Sequence, residues 1–521
     1  MLGSLLPQTA DAEKDLGIFE KLMAFDDAGL ARRALPLKAI KPKDIAGRII
    51  LSNPWDYFSH NIKDGDERFE SICSKAFPLN PDELKINIQW RRDVEEEDKI
   101  ELLRLTLATY SGYERKSILC KRPEEVDETW LYQNIWAEIN NAYAYLGIKA
   151  RSHQELIEQL GILRFGRKPV VGDTFSGGGS IPFEAARLGC DVYASDLNPI
   201  ACMLTWSALN IIGASPSKKD DIESWQKEVT SQVEAEITKL GIETDNLGNR
   251  AKAYLYCMEA RCPETGWMIP LSPSWVISKS RKVIAKLIPI HNEKRFDIDV
   301  ITGVSDEEMK HADIGTFQKG EMVYELGERI YRTTIKTLRG DYKDSYGSNT
   351  NRLRKWGGDE FKPRLDDIFQ ERLYAVHWIT QASLAQGKKS YFFTSATPLV
   401  LAQEQKIEQI VLKNSSNWQE AGLIPNMEIE PGEETTRLSR ERGWTHWHHL
   451  FTPRQLLMVA LLQKSIRESS HPEYSFFKVA NTVNWISKLC LWATSPARAT
   501  GGAGDYSVHV FYNQALNTHM N

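Results

Sequence analysis

The sequence predicts an α/β fold with a parallel, doubly wound sheet at its centre. A short apolar run over residues 169–175 is followed closely by three consecutive glycines. Residues 180–212 then show a helical pattern, a strand pattern and a second helical pattern. The order strand, glycine loop, helix, strand and helix is typical of a βαβ unit, in which the two strands are parallel.

The sequence divides into four segments around this unit. We predict a helical N-terminal region over residues 1–165 and the βαβ core over 166–250. A strand-rich insertion is predicted over 251–345, and a mixed α/β region with strong helices over 346–521. A chain of 521 residues is long enough for about three domains, or for one core with large insertions.

Two amphipathic helices are predicted before the core. Residues 130–148 show an aromatic-rich helical pattern, and residues 152–162 show a second one. Ser152 is the predicted N-cap of the second helix, and Glu155 completes a capping box.

The core is predicted element by element. Ser180 can cap its first helix, Pro182 suits the first turn of that helix, and Gly189 ends it. The predicted elements are a strand at 169–175, a helix at 180–189, a strand at 190–199 and a buried helix at 201–212.

Three further helices are predicted after the core. Residues 215–243 form a long polar pattern, and residues 365–385 and 451–470 form strong amphipathic patterns. Thr452 is the predicted N-cap of the last helix, with Pro453 at its first position.

Composition limits the class of protein and its location. Hydrophobic residues make up 42% of the chain and charged residues 26%, which is typical of a globular protein. No uninterrupted apolar run approaches the roughly 18 residues of a membrane span, and the N-terminus lacks the pattern of a signal peptide. Seven sparse cysteines, an odd number, fit a reducing compartment. We therefore predict a cytoplasmic protein without a membrane partner.

The glycine loop and two aspartates predict a nucleoside-binding site. In a parallel sheet, ligands bind at the carboxyl ends of the strands, beside helix N-termini. Gly177 and Gly179 allow a tight turn and a close approach of the backbone to a ligand. Asp196 ends the second strand, 23 residues after Asp173, and its carboxylate can accept hydrogen bonds from both ribose hydroxyls of an adenosine. Leu197 can then lie against the adenine ring.

The same loop distinguishes between nucleoside cofactors. The dinucleotide fingerprint G-x-G-x-x-G needs a third glycine where this sequence has Pro182. Asp173, ahead of the glycines, would repel a pyrophosphate and attract an ammonium group, so we predict S-adenosylmethionine (SAM) as the cofactor. The alternative is a glycine-rich turn that binds no ligand. The predicted cofactor-binding residues are Asp173, Thr174, Phe175, Gly177, Gly178, Gly179, Asp196 and Leu197.

Residues 173–201, DTFSGGGSIPFEAARLGCDVYASDLNPIA, resemble motifs I and II of the adenine-specific DNA methylases that contain a zinc ribbon, in particular the branch associated with anti-phage defence. The residues that match this family's D-x-F-x-G-x-G pattern and its ribose acid are Asp173, Phe175, Gly177, Gly179 and Asp196. The segments that resemble the family more loosely are 253–279, 365–378, 451–462 and 510–518. The resemblance covers residues 165–521.

This resemblance implies the Rossmann-like core of a SAM-dependent methyltransferase. It implies transfer of the SAM methyl group to N6 of adenine in DNA, within a restriction–modification or antiviral defence system. DNA is then the expected partner. Two other functions stay open. One is a methyltransferase that acts on RNA or a small molecule, and the other is a non-catalytic subunit that binds SAM or docks on DNA.

The catalytic motif of such enzymes is missing from the sequence. Amino-group methyltransferases use an (Asp/Asn/Ser)-Pro-Pro-(Tyr/Phe/Trp) loop whose aromatic residue stacks on the flipped base, and no such tetrapeptide occurs here. In the family it follows a segment like 510–518, and this sequence stops at Asn521. The catalytic residues are therefore unknown, and we expect a fragment or a partner polypeptide that supplies the loop. The segment most similar to this tetrapeptide is residues 53–58 (NPWDYF). It is predicted to be an ordinary turn, with a catalytic role as the alternative.

The family's zinc site is incomplete in this sequence. Cys257 and Cys262 have the spacing C-x4-C, but the stretch 316–326, where a second pair would fall, has no cysteine. His311 is the nearest substitute. Two thiolates cannot complete a tetrahedral zinc site, so we predict a degenerate, ribbon-like β fold over 251–345 without metal, and a bound zinc is the alternative. The histidines predicted to lie in an aromatic loop or interface rather than at a metal are His446, His448 and His449.

Basic clusters are the candidates for a local DNA face, because the net charge of −5 gives no support to a nucleic-acid partner. Residues 279–295 carry six Lys/Arg against one Glu, and residues 351–356 and 437–442 add two shorter clusters. Such clusters can contact phosphates, and Trp356 can stack on a base. The alternative for each cluster is a solvated face.

Overall fold

The computed structural model describes residues 2–62, 71–72, 74–386, 390–494 and 505–508. Its fold is mixed α/β, in agreement with the predicted class. The chain divides into two compact units, Met1–Lys219 and Asp220–Asn521. Among the described residues, no helix is both long enough and apolar enough to cross a membrane.

The first unit contains many short helices and two small sheets. Its α-helices are α1 (Leu2–Leu5), α2 (Ala12–Leu22), α3 (Asp27–Leu37), α4 (Pro42–Ala46), α5 (Glu96–Ala108), α6 (Tyr113–Ser117), α7 (Glu128–Tyr132), α8 (Trp136–Ala142), α9 (His153–Phe165), α10 (Ser180–Arg187) and α11 (Pro199–Ser207). Its strands are β1 (Phe58–His60), β2 (Ile88–Trp90), β3 (Val170–Asp173) and β4 (Asp191–Ala194). β1 and β2 pair antiparallel, whereas β3 and β4 pair parallel.

The two larger hydrophobic clusters among the described residues of the first unit join most of its helices. One buries apolar side chains of α3 and α5, among them Leu30 and Leu107. The other joins α2 and α9 to the βαβ unit and buries Leu22, Leu156 and Ala185. Burial of these side chains is the main stabilising contribution to such packing, and it fixes one side of the βαβ unit against α9.

The core elements follow the prediction with two corrections. β3, α10 and β4 confirm the predicted strand, helix and strand. Ser180 is not the cap of α10, because the N-cap residue is Gly179 in a left-handed conformation. α11 and a π-helical turn at Ala208–Ile212 confirm the second helix, but the prediction that it is buried is wrong, since Leu204 and Ile212 are exposed. The parallel sheet has two strands within the described residues, which is too narrow to cover this helix.

The prediction of one continuous helix over 130–148 is wrong. The segment breaks into α7, α8 and a 3-10 turn at Ala144–Leu146. Its two halves pack against different parts of the unit. Leu131 and Tyr132 belong to a cluster with Ala24, whereas Tyr143 belongs to the cluster of α2 and α9. A straight helix could not direct both sets of side chains to these places.

Two predicted helix caps, Ser152 and Thr452, are confirmed. α9 confirms the helix at 152–162, and the Ser152 side chain accepts a hydrogen bond from Glu155 N–H. The Glu155 carboxylate accepts from Arg151 N–H at 2.8 Å rather than from the N-cap amide, so the capping box is not formed as predicted. Thr452 caps its helix as predicted.

The second unit contains most of the β structure. Its strands are β5 (Arg250–Arg261), β6 (Met268–Leu271), β7 (Val276–Ser278), β8 (Val283–Ile290), β9 (Arg295–Thr302), β10 (Phe317–Gln318), β11 (Glu321–Leu326), β12 (Arg329–Thr334), β13 (Tyr342–Lys343), β14 (Asn349–Thr350), β15 (Phe369–Ile379), β16 (Tyr391–Ser395), β17 (Leu491–Ala493) and β18 (Tyr506–Val508). The seven-stranded sheet has the order β16-β15-β5-β6-β9-β8-β7. Its neighbours are antiparallel except for β6 and β9.

Helices surround this sheet. They are α12 (Pro216–Leu240), which begins just before the unit boundary, α13 (Asp306–Ala312), α14 (Ile335–Arg339), α15 (Gln381–Gln386), α16 (Pro398–Glu420), α17 (Glu433–Arg442), α18 (Pro453–Arg467) and α19 (Ser475–Trp485). α12 confirms the predicted polar helix and α18 the helix predicted at 451–470. Residues 251–345 are strand-rich as expected, and β5 pairs along its length with β15, so this segment shares its sheet with residues 369–395.

The helix predicted at 365–385 is wrong, because Phe369–Ile379 form strand β15. This strand lies inside the sheet between β16 and β5. Its residues are buried on both faces, including Ala375, Val376 and Trp378. A strand covered on both faces has no alternation of apolar and polar residues, so its apolar positions also match a helical period.

Candidate functional site

The carboxyl ends of β3 and β4 lie side by side. Asp173, the last residue of β3, is in register with Ala194, the last residue of β4. The pairing continues beyond both strands. Ser195 N–H donates to the Asp173 carbonyl (2.9 Å), and Ser176 N–H donates to the Ser195 carbonyl (3.1 Å). The glycine loop after β3 is thereby joined to the loop after β4, where α/β proteins bind ligands.

The Asp196 side chain joins the loop after β4 to the glycine loop after β3. Its Oδ2 accepts a hydrogen bond from Gly177 N–H at 2.9 Å, and its Oδ1 accepts one from Asn198 N–H at 2.8 Å. These two amide donors, Asn198 first, hold the pKa of the Asp196 carboxyl below its usual range. Each carboxylate oxygen can accept a further hydrogen bond. An ionised acceptor with spare capacity therefore lies at the edge of the loop.

Two glycines of the loop adopt left-handed conformations, with φ of +51° at Gly177 and +83° at Gly179. A Cβ at Gly179 would lie 2.8 Å from the Cα of Thr205 on α11, so the close approach of that helix requires glycine. A Cβ at Gly177 or Gly178 would meet no atom within 4 Å. The backbone at these two positions therefore faces open space that a ligand can enter.

The remaining predicted binding residues lie on the same edge. Asp173 is half-buried, and its Oδ1 accepts a hydrogen bond from Phe175 N–H at 3.1 Å. Thr174 is exposed. The side chains of Phe175 and Leu197 are 81% and 94% exposed. The structure thus brings the two aspartates, the glycines and two large apolar side chains together.

The site is an open edge rather than an enclosed pocket within its unit. Tyr193 on β4, Ile181 on α10 and Ile200 on α11 are all more than half exposed. Parallel sheets in α/β proteins are normally covered on both faces. Apolar side chains exposed together in this way are typical of a surface that binds a ligand or another chain.

Two residues that stabilise the site were not predicted. Thr205 Oγ1 donates to Ser176 Oγ at 3.2 Å and approaches the Gly177 carbonyl at 3.4 Å, which ties the loop to α11. Asn198 caps α11 by accepting from Ile200 N–H at 3.0 Å. Asn before Pro at a helix start is a recognisable cap pattern that could have identified Asn198. No local pattern identifies Thr205, because its contact joins residues 29 positions apart.

Residues 53–58 form a 3-10 turn at Pro54–Asp56 that leads into β1. Trp55 Nε1 donates to the Ile72 carbonyl at 3.0 Å, and the Trp55 ring packs edge-on against Phe77. The aromatic residue of this catalytic alternative is therefore engaged in the hydrophobic core of its unit.

The cysteines of the predicted ribbon lie in and beside β5. Cys257 and Cys262 are both buried. Burial raises the pKa of the Cys257 thiol. His311 lies on α13. No group of three or more potential metal ligands is found among the described residues.

Some side chains of the predicted basic clusters form ion pairs within the second unit. Lys282 contacts Asp306 at 3.0 Å, and Arg354 contacts both Glu360 and Asp367 at 2.6 Å. Trp356 is buried, so it does not lie on an outer surface. The third cluster, 437–442, belongs to α17.

The three histidines occupy a buried corner of the second unit. His448 Nε2 contacts the Glu360 carbonyl and His449 Nε2 contacts the Gly357 carbonyl, each at 3.0 Å. Burial lowers the pKa of His448 to about 4 and the pKa of His449 to about 3. His446 contacts Thr445 at 2.9 Å. Neutral imidazoles bonded to backbone carbonyls stabilise the fold here.

A scan against protein-family models found no match for this chain, and searches of curated proteins and of solved structures found none either. The predicted family segment 510–518 lies outside the described residues.

Proposed function

We propose that this chain is the SAM-binding part of a methyltransferase, with N6 of adenine in DNA as the position that receives the methyl group. The observation that carries the proposal is the placement of Asp196. Its ionised carboxylate lies at the end of β4 and is hydrogen-bonded to the glycine loop that follows β3. Carboxylate oxygens with spare acceptor capacity suit the two hydroxyls of a ribose.

The other residues of the edge fit the remaining parts of SAM. Asp173 places a negative charge beside the loop, which favours an ammonium group and disfavours a pyrophosphate. Phe175 and Leu197 offer exposed apolar surfaces to an adenine ring. The open space at Gly178 leaves room for the ligand against the backbone.

A Rossmann-like core is part of this proposal. The order β3, α10, β4 and α11, together with the parallel register of β3 and β4, supports it. The ligand position at the carboxyl ends of the strands also follows the general rule for such sheets.

When bound, SAM supplies an electrophilic methyl group for transfer to an amine nitrogen. The residues of this chain bind and orient the cofactor, with Asp196 fixing the sugar and the glycine loop admitting the amino-acid chain. The residues that hold the target amine are not assigned, because the sequence contains no (Asp/Asn/Ser)-Pro-Pro-aromatic tetrapeptide. We propose that a partner polypeptide supplies this loop.

The missing tetrapeptide also favours a second function, a non-catalytic subunit that binds SAM or docks on DNA. Tritium transfer from labelled SAM to DNA distinguishes the two. Label incorporated into adenine-containing DNA by this chain alone identifies an enzyme. Label that appears only after addition of the neighbouring gene product identifies a subunit. Absence of label in both cases, with SAM bound, contradicts the methyltransferase proposal.

Titration calorimetry tests the cofactor directly. We expect heat of binding with SAM and none with NAD, and NAD binding without SAM binding would overturn the proposal. Asp196→Ala should abolish SAM binding through loss of the ribose acceptor. Asp191→Ala is the matched control, because Asp191 is an exposed carboxylate on the same strand, paired with Lys168 at 3.3 Å. The control variant should bind SAM like the unchanged protein.

A further inference from the structure

The second unit contains a cavity of about 720 Å³, and no residue of the β3–β4 edge lines it. Strands β5 and β15 form part of its wall, and the segments 352–356, 442–444 and 485–494 contribute to the rest. Its volume lies in the range of about 300–1,000 Å³ that is typical of small-molecule sites. All its lining residues belong to the second unit.

Indole rings form much of the apolar wall. Trp356 and Trp444 are almost fully buried and meet at an interplanar angle of 72°, with their centroids 6.3 Å apart. Trp485, which is 40% exposed, and Trp492 line the same cavity. Several indoles around one cavity present flat surfaces on which a planar aromatic ligand can stack.

Three cations of the wall are neutralised by carboxylates. The Lys488 side chain is only 8% exposed, its ammonium lies 2.7 Å from Glu371 Oε1, and it stands 5.1 Å from the centre of the Trp356 ring. Arg354 is paired with Asp367 and Arg454 with Glu404. These pairs leave little net charge on that part of the wall.

Arg442 differs from these cations. Among the described residues its guanidinium has no carboxylate within 4 Å, and its buried Nε has no hydrogen-bond partner. Its Nη1 donates to the sulfur of Met258, which is a weak acceptor. Burial lowers the pKa of Arg442 to about 10. The carboxylates of Glu441 and Glu371 oppose this shift without forming an ion pair with the guanidinium among the described residues. A buried cation that lacks an ion pair is costly unless an anion binds it, and planar guanidinium groups suit phosphate.

We propose that this cavity binds one nucleotide, with its base against the indole rings and its phosphate on Arg442. The combination of stacking surface and unpaired guanidinium fits a nucleoside phosphate better than it fits a neutral aromatic compound or a simple anion. The nucleotide can be free or part of a single strand, and both present the same chemistry. The proposal depends on the second unit alone and stands whether or not the first unit binds SAM.

The test is a titration followed by tryptophan fluorescence, with dAMP, adenosine, inorganic phosphate and a short oligo-dA strand as probes. We expect dAMP or the strand to quench fluorescence at concentrations at which adenosine and phosphate do not. Quenching by dAMP identifies a free nucleotide as the ligand, and quenching by the strand alone identifies a nucleotide within DNA. Equal binding of phosphate and dAMP, or no binding of dAMP and the strand, overturns the proposal.

Arg442→Gln should weaken the binding of the active probe by about tenfold or more, since a charge-assisted contact is lost. Arg440→Gln on the same helix is the control and should bind normally, because Arg440 does not line the cavity. Trp485→Leu is a second variant that keeps the test informative if Arg442→Gln does not fold, and it should weaken dAMP binding but not phosphate binding. Gly178→Leu in the first unit should bind the probe normally, which separates this proposal from SAM binding.

Discussion

The β3–β4 edge of the first unit and the cavity of the second unit are constructed in opposite ways. At the edge, the Asp196 carboxylate accepts hydrogen bonds from the backbone amide of Asn198, two residues along the chain, and from that of Gly177 in the glycine loop. Leu197 beside it is exposed. In the cavity, charged side chains are buried against aromatic rings and pair with distant residues, as Lys488 does with Glu371. An open site can therefore arise from one local motif, whereas a cavity lined by distant segments requires the fold of its whole unit.

The largest expected effect tests whether buried ionic contacts hold the second unit. Arg454 is 9% exposed, its Nε donates to Glu404 Oε1 at 2.7 Å, and its guanidinium stacks on Tyr254 at 3.7 Å. Arg454→Met leaves a carboxylate buried without its partner, so we expect a loss of about 3–5 kcal/mol in the free energy of unfolding. Urea unfolding followed by tryptophan fluorescence measures it.

Two comparisons sharpen that prediction. The double variant Arg454→Met/Glu404→Leu should recover part of the loss, because no lone charge remains. Lys227→Met breaks the exposed pair with Glu223 on α12 and should change the free energy of unfolding by less than about 0.5 kcal/mol. If Arg454→Met and Lys227→Met lower the free energy of unfolding equally, buried ion pairs do not stabilise the second unit more than exposed ones do.

The next largest expected effect is a loss of SAM affinity at the β3–β4 edge. Gly178 has an ordinary φ, and a side chain there would meet no protein atom within 4 Å. Gly178→Leu should therefore leave the melting temperature unchanged while it fills the space offered to SAM. We expect SAM affinity to fall by about a hundredfold, which is close to 3 kcal/mol. The measurements are calorimetric titration and thermal unfolding.

A matched control exists on α2. A Cβ at Gly17 would also meet no atom within 4 Å, and Gly17 has an ordinary φ and belongs to α2 rather than to the glycine loop. Gly17→Leu should bind SAM normally. If Gly178→Leu binds SAM as tightly as Gly17→Leu does, the open space at the loop is not the cofactor site.

The same contrast explains what could be predicted from the sequence. The βαβ unit, the glycine loop and Asp196 were predictable because neighbouring residues form them. The strand β15 was mistaken for a helix because it is covered on both faces, and its apolar residues fit either period. The cavity was not predictable, since Arg442, Trp356 and Lys488 approach one another only when the sheet and its helices have packed.

Acid should affect the two regions differently. Burial lowers the pKa of His377 and His449 to about 3 and that of His448 to about 4. Below about 6.5, the ordinary histidine value, the unfolded chain binds more protons than the folded one, so the free energy of unfolding falls as pH decreases. The lowered pKa of Asp196 has its effect in another range, because its stabilising contribution is lost only as pH falls through that lowered value. Between pH 7 and 5, acid should weaken the second unit and spare the edge.

A substitution of His377 tests this difference in acid response, and its expected effect is the smallest. Its ring is stacked on Phe393 at 4.2 Å, and neither ring nitrogen has a hydrogen-bond partner among the described residues. His377→Phe removes one group that must gain a proton on unfolding, so the pH dependence should decrease by about 1 kcal/mol per pH unit below 6.5. Urea unfolding at pH 7.5 and pH 5.5 measures it. An unchanged dependence in His377→Phe would mean that this imidazole is already protonated in the folded protein, and burial would then not explain the acid response of the second unit.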